Sequence, residues 1–499
     1  MTLPLTRLAI AACLACLPLA AGAAAPQDFF YWVGRINMAS TVMTVEQGIV
    51  PPALAGKVAR GVAHSISQGA RPGGKRPADV LQIEALITEQ AGAEASLIHS
   101  GRSRQDMHAT LRAAQLRSEL LAFGDAVMAV RARLLESAAN NVDTLVPAYT
   151  NGVQAMPTSY AHYLLAFADS FARDSERLRQ AYARVNRSAL GTAVLANSSW
   201  PLDRQRLAGL LGFDALVVNA YDAGQLSAYD VPIEAANLLG SSAIRVGAFM
   251  QDVHVQYHQA RPWLLLAPGK TYTSSAMPQK ANPGMIQNAR ALASDVVGAA
   301  QMVTLRAHNV PSGMADYTNS LDEGGGKVFE RGQQMMRRFS DVLDALRVDA
   351  KRAREELDAE WTTSMELAET LQRKHGVPFR TGHHVASEIV LYARAHQFTP
   401  ATFPYRDAVR IYAEAGRAHG LADVKLPLDE AAFRRALSAE NMVRTRVGIG
   451  GPQPEEVRRM LGSAREELAR DRQWTAQARE RLQRSAAALD QAFGALLAR

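Results

Sequence analysis

Between Thr271 and Gly284 the sequence reads TYTSSAMPQKANPG, which places Ser274, Ser275, Lys280, Asn282 and two prolines between segments of helical periodicity. A lysine, hydroxyls and a carboxamide this close together suit the binding of a carboxylate, through a charge-assisted contact and oriented amide N–H groups. Asn282-Pro283 reads as a helix N-cap followed by proline at the first helical position, because Ile286, Ala289, Leu292 and Val296 then recur at helical spacing. A helix N-terminus attracts anions, and Lys280 beside it adds a full positive charge. A serine hydroxyl is a poor base in water. A basic role for Ser274 therefore requires a nearby cation and donors that stabilise the alkoxide. Residue types alone leave open the alternative of a serine-rich surface turn.

Ser274 to Pro283 closely resembles the S-S-x-M-P-x-K-x-N-P signature of the fumarase/aspartase superfamily, and His99 to Asp106 (HSGRSRQD) resembles the H-T-G-R-S-R-N-D segment of argininosuccinate lyases. The similarity extends to Arg173–Asn186 (RDSERLRQAYARVN), Val377-Pro378-Phe379-Arg380 and Gly450-Gly451, so it covers nearly the whole chain past residue 25. It implies an all-α subunit of three domains with an elongated central helix bundle, divided here as 26–106, 107–355 and 356–499. It also implies a homotetramer whose active sites are shared between subunits. The chemistry it implies is reversible β-elimination without metal or organic cofactor. A base takes a proton from the carbon next to a carboxylate, an aci-carboxylate forms, and the amine on the neighbouring carbon leaves, releasing fumarate.

Carried over by resemblance, the base falls on Ser274, while Lys280 and Asn282 stabilise the doubly charged intermediate. Because the carbanion is high in energy, stabilising the developing charge matters more than base strength. Substrate contacts fall on Arg104, Gln105, Ser275, Thr150 and Asn151. Arginine offers a bidentate fork to a carboxylate. Gln105 stands where the family has asparagine. Arg102 reads as a structural ion-pair partner and His99 as a packing or hydrogen-bonding residue.

Three segments depart from the argininosuccinate lyase pattern. Tyr149–Pro157 (YTNGVQAMP) puts Asn151 where the family has the histidine proposed as proton relay, and an amide carries no proton at ordinary pH. His162 is a candidate substitute, against the commoner structural role of a helix-face histidine. After Pro311-Ser312 the Y-N-K/R-D string is replaced by Gly313-Met314-Ala315-Asp316, and Asn219–Asp230 (NAYDAGQLSAYD) lacks S-E-R-D. These changes leave the fumarate-forming half intact and alter the part that reads arginine, so the expected substrate is another N-substituted aspartate. A true argininosuccinate lyase and a non-catalytic binding protein that keeps the fold are the alternatives.

The elements expected to position these segments are amphipathic helices. After Pro157, Leu164, Phe167, Phe171, Leu178, Ala181 and Val185 form one stripe; near the end of the chain Leu468, Ala478, Leu482, Ala486, Leu489, Phe493 and Leu497 form another. Breaks are expected near Arg71–Gly74, Pro268-Gly269, Pro311–Gly313, Gly324–Gly326 and Gly448–Pro452. Gly324–Lys327 lacks the spacing of a phosphate loop and reads as a flexible connection.

The 499 residues carry 55 Lys and Arg against 48 Asp and Glu, net +7, with 48% hydrophobic residues. This is ordinary globular composition, and the dispersed basic excess argues for small anions and against nucleic acid. Residues 1–25, with Arg7, an apolar run from Leu8 and small residues at Ala21–Ala25, read as a cleaved signal peptide, which places the mature protein outside the cytosol, in the periplasm. The only cysteines, Cys13 and Cys16, fall within it, so the mature chain has no cysteine nucleophile, zinc-thiolate or iron-sulfur site. No later stretch is long and apolar enough to span a membrane.

Overall fold

Apolar residues three and four apart commit most of the chain to helices, each of which must bury one face. The computed structural model describes residues 27–71 and 73–499; the expected leader at 1–25 lies outside them. The described residues divide into two compact units, 27–71 and 73–98 with 493–499, and 99–492.

In the first unit, helices Phe29–Glu46, Pro52–Ala70 and Val80–Ala91 follow one another. Asp28 caps the first by accepting from the Tyr31 N–H at 2.9 Å, and Asp79 caps the third by accepting from the Leu81 N–H at 2.9 Å. A Cβ on Gly61 would lie 2.6 Å from the Ala91 Cβ, so the second and third helices pack with their backbones close.

In the second unit, helices Arg104–Ala139, Tyr160–Val185, Ser227–Gln256, Gly284–Ala307 and Ala315–Ala345 form a bundle. Its core includes Phe123, Leu164, Phe171, Leu239, Phe249, Val296 and Phe339. Each such side chain, once buried, contributes roughly 1.5–3 kcal/mol relative to exposure. Val457, Leu461, Ala464, Leu468 and Ala478 of the last helix, Pro454–Leu497, join the same core. A second cluster around Leu371, Phe403 and Phe433 is built by helices Ser364–His375, Phe379–Ala395, Tyr405–Ala418 and Glu430–Ala436. Among the described residues strands are short and pair in twos. The all-α expectation therefore holds.

The stripe expected after Pro157 is the buried face of Tyr160–Val185, with Phe167 packed edge-on against Phe249 at 5.0 Å between ring centroids. The same helix turns polar groups inward to meet charged partners on its neighbours. Asp174 accepts from the Ser242 hydroxyl at 2.6 Å and pairs with Arg245, and Arg131, 1% exposed, donates to Ser175 Oγ at 3.0 Å and pairs with Asp471. Buried charges survive only when paired in this way. Removing one partner would leave the other uncompensated.

The expected break at Gly324–Gly326 is not found: these glycines lie inside Ala315–Ala345. Each costs a helix roughly 1 kcal/mol relative to alanine, and burial of Val328, Phe329, Met335, Met336 and Phe339 further along offsets it. Local propensity loses there to packing. The same segment is thereby removed from consideration as a phosphate loop.

Candidate active site

The segment Thr271–Gly284 is a small hairpin between two bundle helices. Tyr272 pairs with Asn282 and Thr273 with Ala281, antiparallel. Inside that pairing the Ser274 N–H donates to the Lys280 carbonyl at 3.1 Å, and the Lys280 N–H donates to the Met277 carbonyl at 3.0 Å. This brings Ser274 and Lys280 opposite each other. The Ser274 hydroxyl oxygen accepts from two backbone N–H groups, Ala276 at 3.3 Å and Met277 at 3.2 Å. Such donors close an ordinary serine turn, and they also favour the deprotonated oxygen over the neutral hydroxyl. Ser275 and Lys280 are exposed.

Asn282 is not the helix cap that its sequence suggests. The strand pairing occupies its backbone, its side-chain Nδ2 donates to the Tyr272 carbonyl at 3.3 Å, and Pro283 takes the N-cap position of helix Gly284–Ala307. A proline has no side-chain cap to offer. The helix entrance is instead fitted against Tyr272, whose ring would lie 2.9 Å from a Cβ on Gly284.

Arg104 and Gln105 open the 36-residue helix Arg104–Ala139. Ser103 and Asp106 form a reciprocal capping box that fixes this first turn. Asp106 also accepts from the Gly191 N–H at 2.9 Å, and burial pushes its carboxyl up to about 6. Behind the turn, burial and the neighbouring Arg102 guanidinium lower His99 to about 2, so its ring is neutral at working pH. Arg102 Nε donates to His99 Nδ1 at 3.3 Å. Both residues hold the turn. Arg104 is exposed, and Gln105 donates from Nε2 to the Gly224 carbonyl at 3.1 Å.

Thr150 and Asn151 sit at the exposed tip of the hairpin Leu145–Thr150 and Val153–Ser159. Thr150 pairs with Val153, leaving Asn151-Gly152 as a two-residue loop with φ of 52° and 74°. Asparagine followed by glycine is the favoured pair where both loop residues need positive φ, so the backbone gives position 151 a reason to be asparagine. Glu356 clamps both strands just behind the tip, accepting from the Tyr149 hydroxyl at 2.6 Å and from Gln154 Nε2 at 3.1 Å. His162 is structural. Its Nε2 lies 2.9 Å from the Gly450 carbonyl, which can only accept, so Nε2 donates there, and Nδ1 lies 2.9 Å from Thr158 Oγ1. Both ring nitrogens are thus engaged within the chain.

The chain thus brings Ser274, Lys280 and Asn282 together in one hairpin, and puts Arg104 with Gln105, and Thr150 with Asn151, on two other elements. What the motifs did not single out is the π-helical turn Asp222–Leu226, which meets Gln105 through Gly224 and meets the loop Pro311–Gly313 through a 2.9 Å contact between the Tyr221 and Ser312 hydroxyls. The only signal in the sequence was that both segments depart from the family pattern. Among the described residues no group of three His, Cys, Asp or Glu is placed to hold a metal ion, and no helix is long and apolar enough to cross a membrane.

The chain also matches known proteins. Residues 73–298 match a family model described as lyase, and residues 361–444 match one described as argininosuccinate lyase C-terminal. The chain is 31% identical over 392 residues to an argininosuccinate lyase of Methanoculleus marisnigri, covering 78% of this chain and 77% of that one. It is 32% identical over 443 residues to an argininosuccinate lyase of Halobacterium salinarum, covering 87% of each. Among solved structures, EDDS lyase in complex with formate superposes with a TM-score of 0.83 at 25% identity, over 94% of this chain and 92% of that one. An EDDS lyase variant with bound fumarate gives the same TM-score and coverage. The chain belongs to the argininosuccinate lyase family of the fumarase/aspartase superfamily and is a carbon–nitrogen lyase that releases fumarate.

Proposed function

We propose that this lyase acts on an N-substituted aspartate other than argininosuccinate, as an exported homotetramer with active sites shared between subunits. The observation that carries the catalytic part is the Ser274 hydroxyl, which accepts from two amide N–H groups in the same hairpin that presents Lys280 and Asn282. Ser274, as the alkoxide, takes the proton from the carbon next to the distal carboxylate. The electron pair left behind spreads onto that carboxylate, and Lys280 and Asn282 stabilise the added charge. The pair then forms the carbon–carbon double bond as the carbon–nitrogen bond breaks, giving fumarate and the amine. Arg104, Gln105, Ser275, Thr150 and Asn151 hold the carboxylates. Asn151 has no proton to give, so the leaving amine takes its proton from water.

The substrate assignment rests on the segments around Asn151, Asn219–Asp230 and Gly313-Met314, which differ from argininosuccinate lyases where the arginine portion is read. The names of the curated relatives favour argininosuccinate itself as the second reading. Export rests on the composition of residues 1–25.

Sharing of the site is supported by its separation onto three elements, and subunit mixing tests it. Ser274→Ala and Arg104→Ala are each expected to be inactive alone. Co-assembled in equal amounts, they should regain about a quarter of wild-type activity, because random mixing leaves that share of sites intact when the two residues come from different chains. No recovery from verified hybrid tetramers would place both residues in one subunit's site.

A further inference from the structure

We propose that Gln225 reads the amine half of the substrate, its buried amide oxygen accepting a hydrogen bond from an N–H of the amine portion, and that Gly313 lacks a side chain to leave that oxygen room. The inference rests on the reading of this chain as a lyase of an N-substituted aspartate.

Gln225 is 4% exposed, and its Oε1 has no hydrogen-bond partner among the described residues. Buried acceptors are almost always satisfied, so an orphan carbonyl oxygen calls for a donor supplied from elsewhere. It sits in the π-helical turn Asp222–Leu226, a conformation that is rare and recurs at functional sites. The turn is fastened at both ends. Asn219 Oδ1 accepts from the Tyr221 N–H at 2.8 Å and the Asp222 N–H at 3.2 Å, and Asp222 Oδ1 accepts from the Ser227 N–H at 3.1 Å. Gln225 is therefore held in place and not loosely packed.

Its neighbours connect it to the rest of the site. On one side the Gly224 carbonyl holds Gln105, the residue next to Arg104. On the other, Tyr221 meets Ser312, and Gly313 lies with φ of 88° so close that a Cβ there would come within 2.5 Å of Gln225 Oε1. Gln105, the segment 219–230 and the segment 311–314 are each places where the sequence departs from argininosuccinate lyases. Here the departures touch one another. That contiguity is expected if they form one recognition unit, and a carbonyl oxygen at its centre selects for a donor.

The test compares two substrates in one protein. N-(2-aminoethyl)aspartate carries a second nitrogen with N–H donors; N-propylaspartate has nearly the same shape without it. In Gln225→Leu the ratio of kcat/KM for the first over the second should fall at least about tenfold from its wild-type value, as expected when a buried hydrogen bond to substrate is removed. Partial misfolding scales both rates alike and leaves the ratio unaffected. Gly313→Ala, which crowds the same oxygen, should lower the ratio in the same direction. Turnover with a ratio within twofold of wild type in both variants overturns the inference alone. Turnover by the wild-type protein of other N-substituted aspartates but of neither of these overturns the inference alone; fumarate from none of them overturns the functional reading and this inference with it.

Discussion

Ser274→Ala is expected to lower fumarate release by about 10²- to 10⁴-fold, the range by which a positioned general base accelerates proton transfer, while leaving the protein folded. Among the described residues the hydroxyl is tied to the N–H groups of Ala276 and Met277, both on exposed residues, so water can replace it without a buried orphan. The hairpin itself is held by backbone pairing, which alanine preserves. The measurement is steady-state fumarate formation by wild type and variant, with circular dichroism and thermal melting to confirm that both are folded. A variant retaining a tenth or more of wild-type activity would remove Ser274 from the role of base.

Lys280→Met should cost about 10²- to 10³-fold in kcat, the loss typical of removing one preorganised charge-stabilising group. Methionine keeps the length and removes the charge. Lys280 contributes its backbone N–H and carbonyl to the hairpin, and its side chain is exposed, so stability should hardly change. The charge on the aci-carboxylate is present in full only after proton removal. The variant should therefore lose kcat more than it raises KM. Primary deuterium substitution at the abstracted position sharpens the test, since slowed proton removal enlarges the isotope effect. A change confined to KM would make Lys280 a binding residue for the ground state.

The fold was legible in the sequence wherever periodicity is strong. Leu164, Phe171, Leu178 and Val185 form the buried stripe that their spacing announces. The fumarate-side hairpin was legible as a place, because its serines, lysine and prolines interrupt helical pattern. Its internal geometry was not. Asn282 has the local signature of a cap, yet pairing with Tyr272, ten residues away, claims it for a strand. Asn151 was weighed as a lost histidine, although Asn-Gly between two extended segments already carries a turn signal.

Other features depend on contacts between distant segments. Gly324–Gly326 became helical because the residues after them are anchored in the core. Within the similar stretch Arg173–Asn186, Asp174 pairs with Arg245, Ser175 Oγ accepts from Arg131, and Asn186 accepts from Arg117 at 2.9 Å. That part of the family likeness belongs to the scaffold. Gln225 is unremarkable as a residue type. Only the burial of its oxygen and the closeness of Gly313 single it out.

The central claim is that this lyase releases fumarate from an N-substituted aspartate that is not argininosuccinate. The most direct measurement gives the purified protein argininosuccinate and a set of aspartates bearing different N-substituents, and follows fumarate from each at matched concentrations. The account predicts that at least one of the others is turned over with a kcat/KM well above that for argininosuccinate, and that this activity disappears in Ser274→Ala. Argininosuccinate as the best substrate of the set, or no fumarate from any of them by a folded protein, would contradict it.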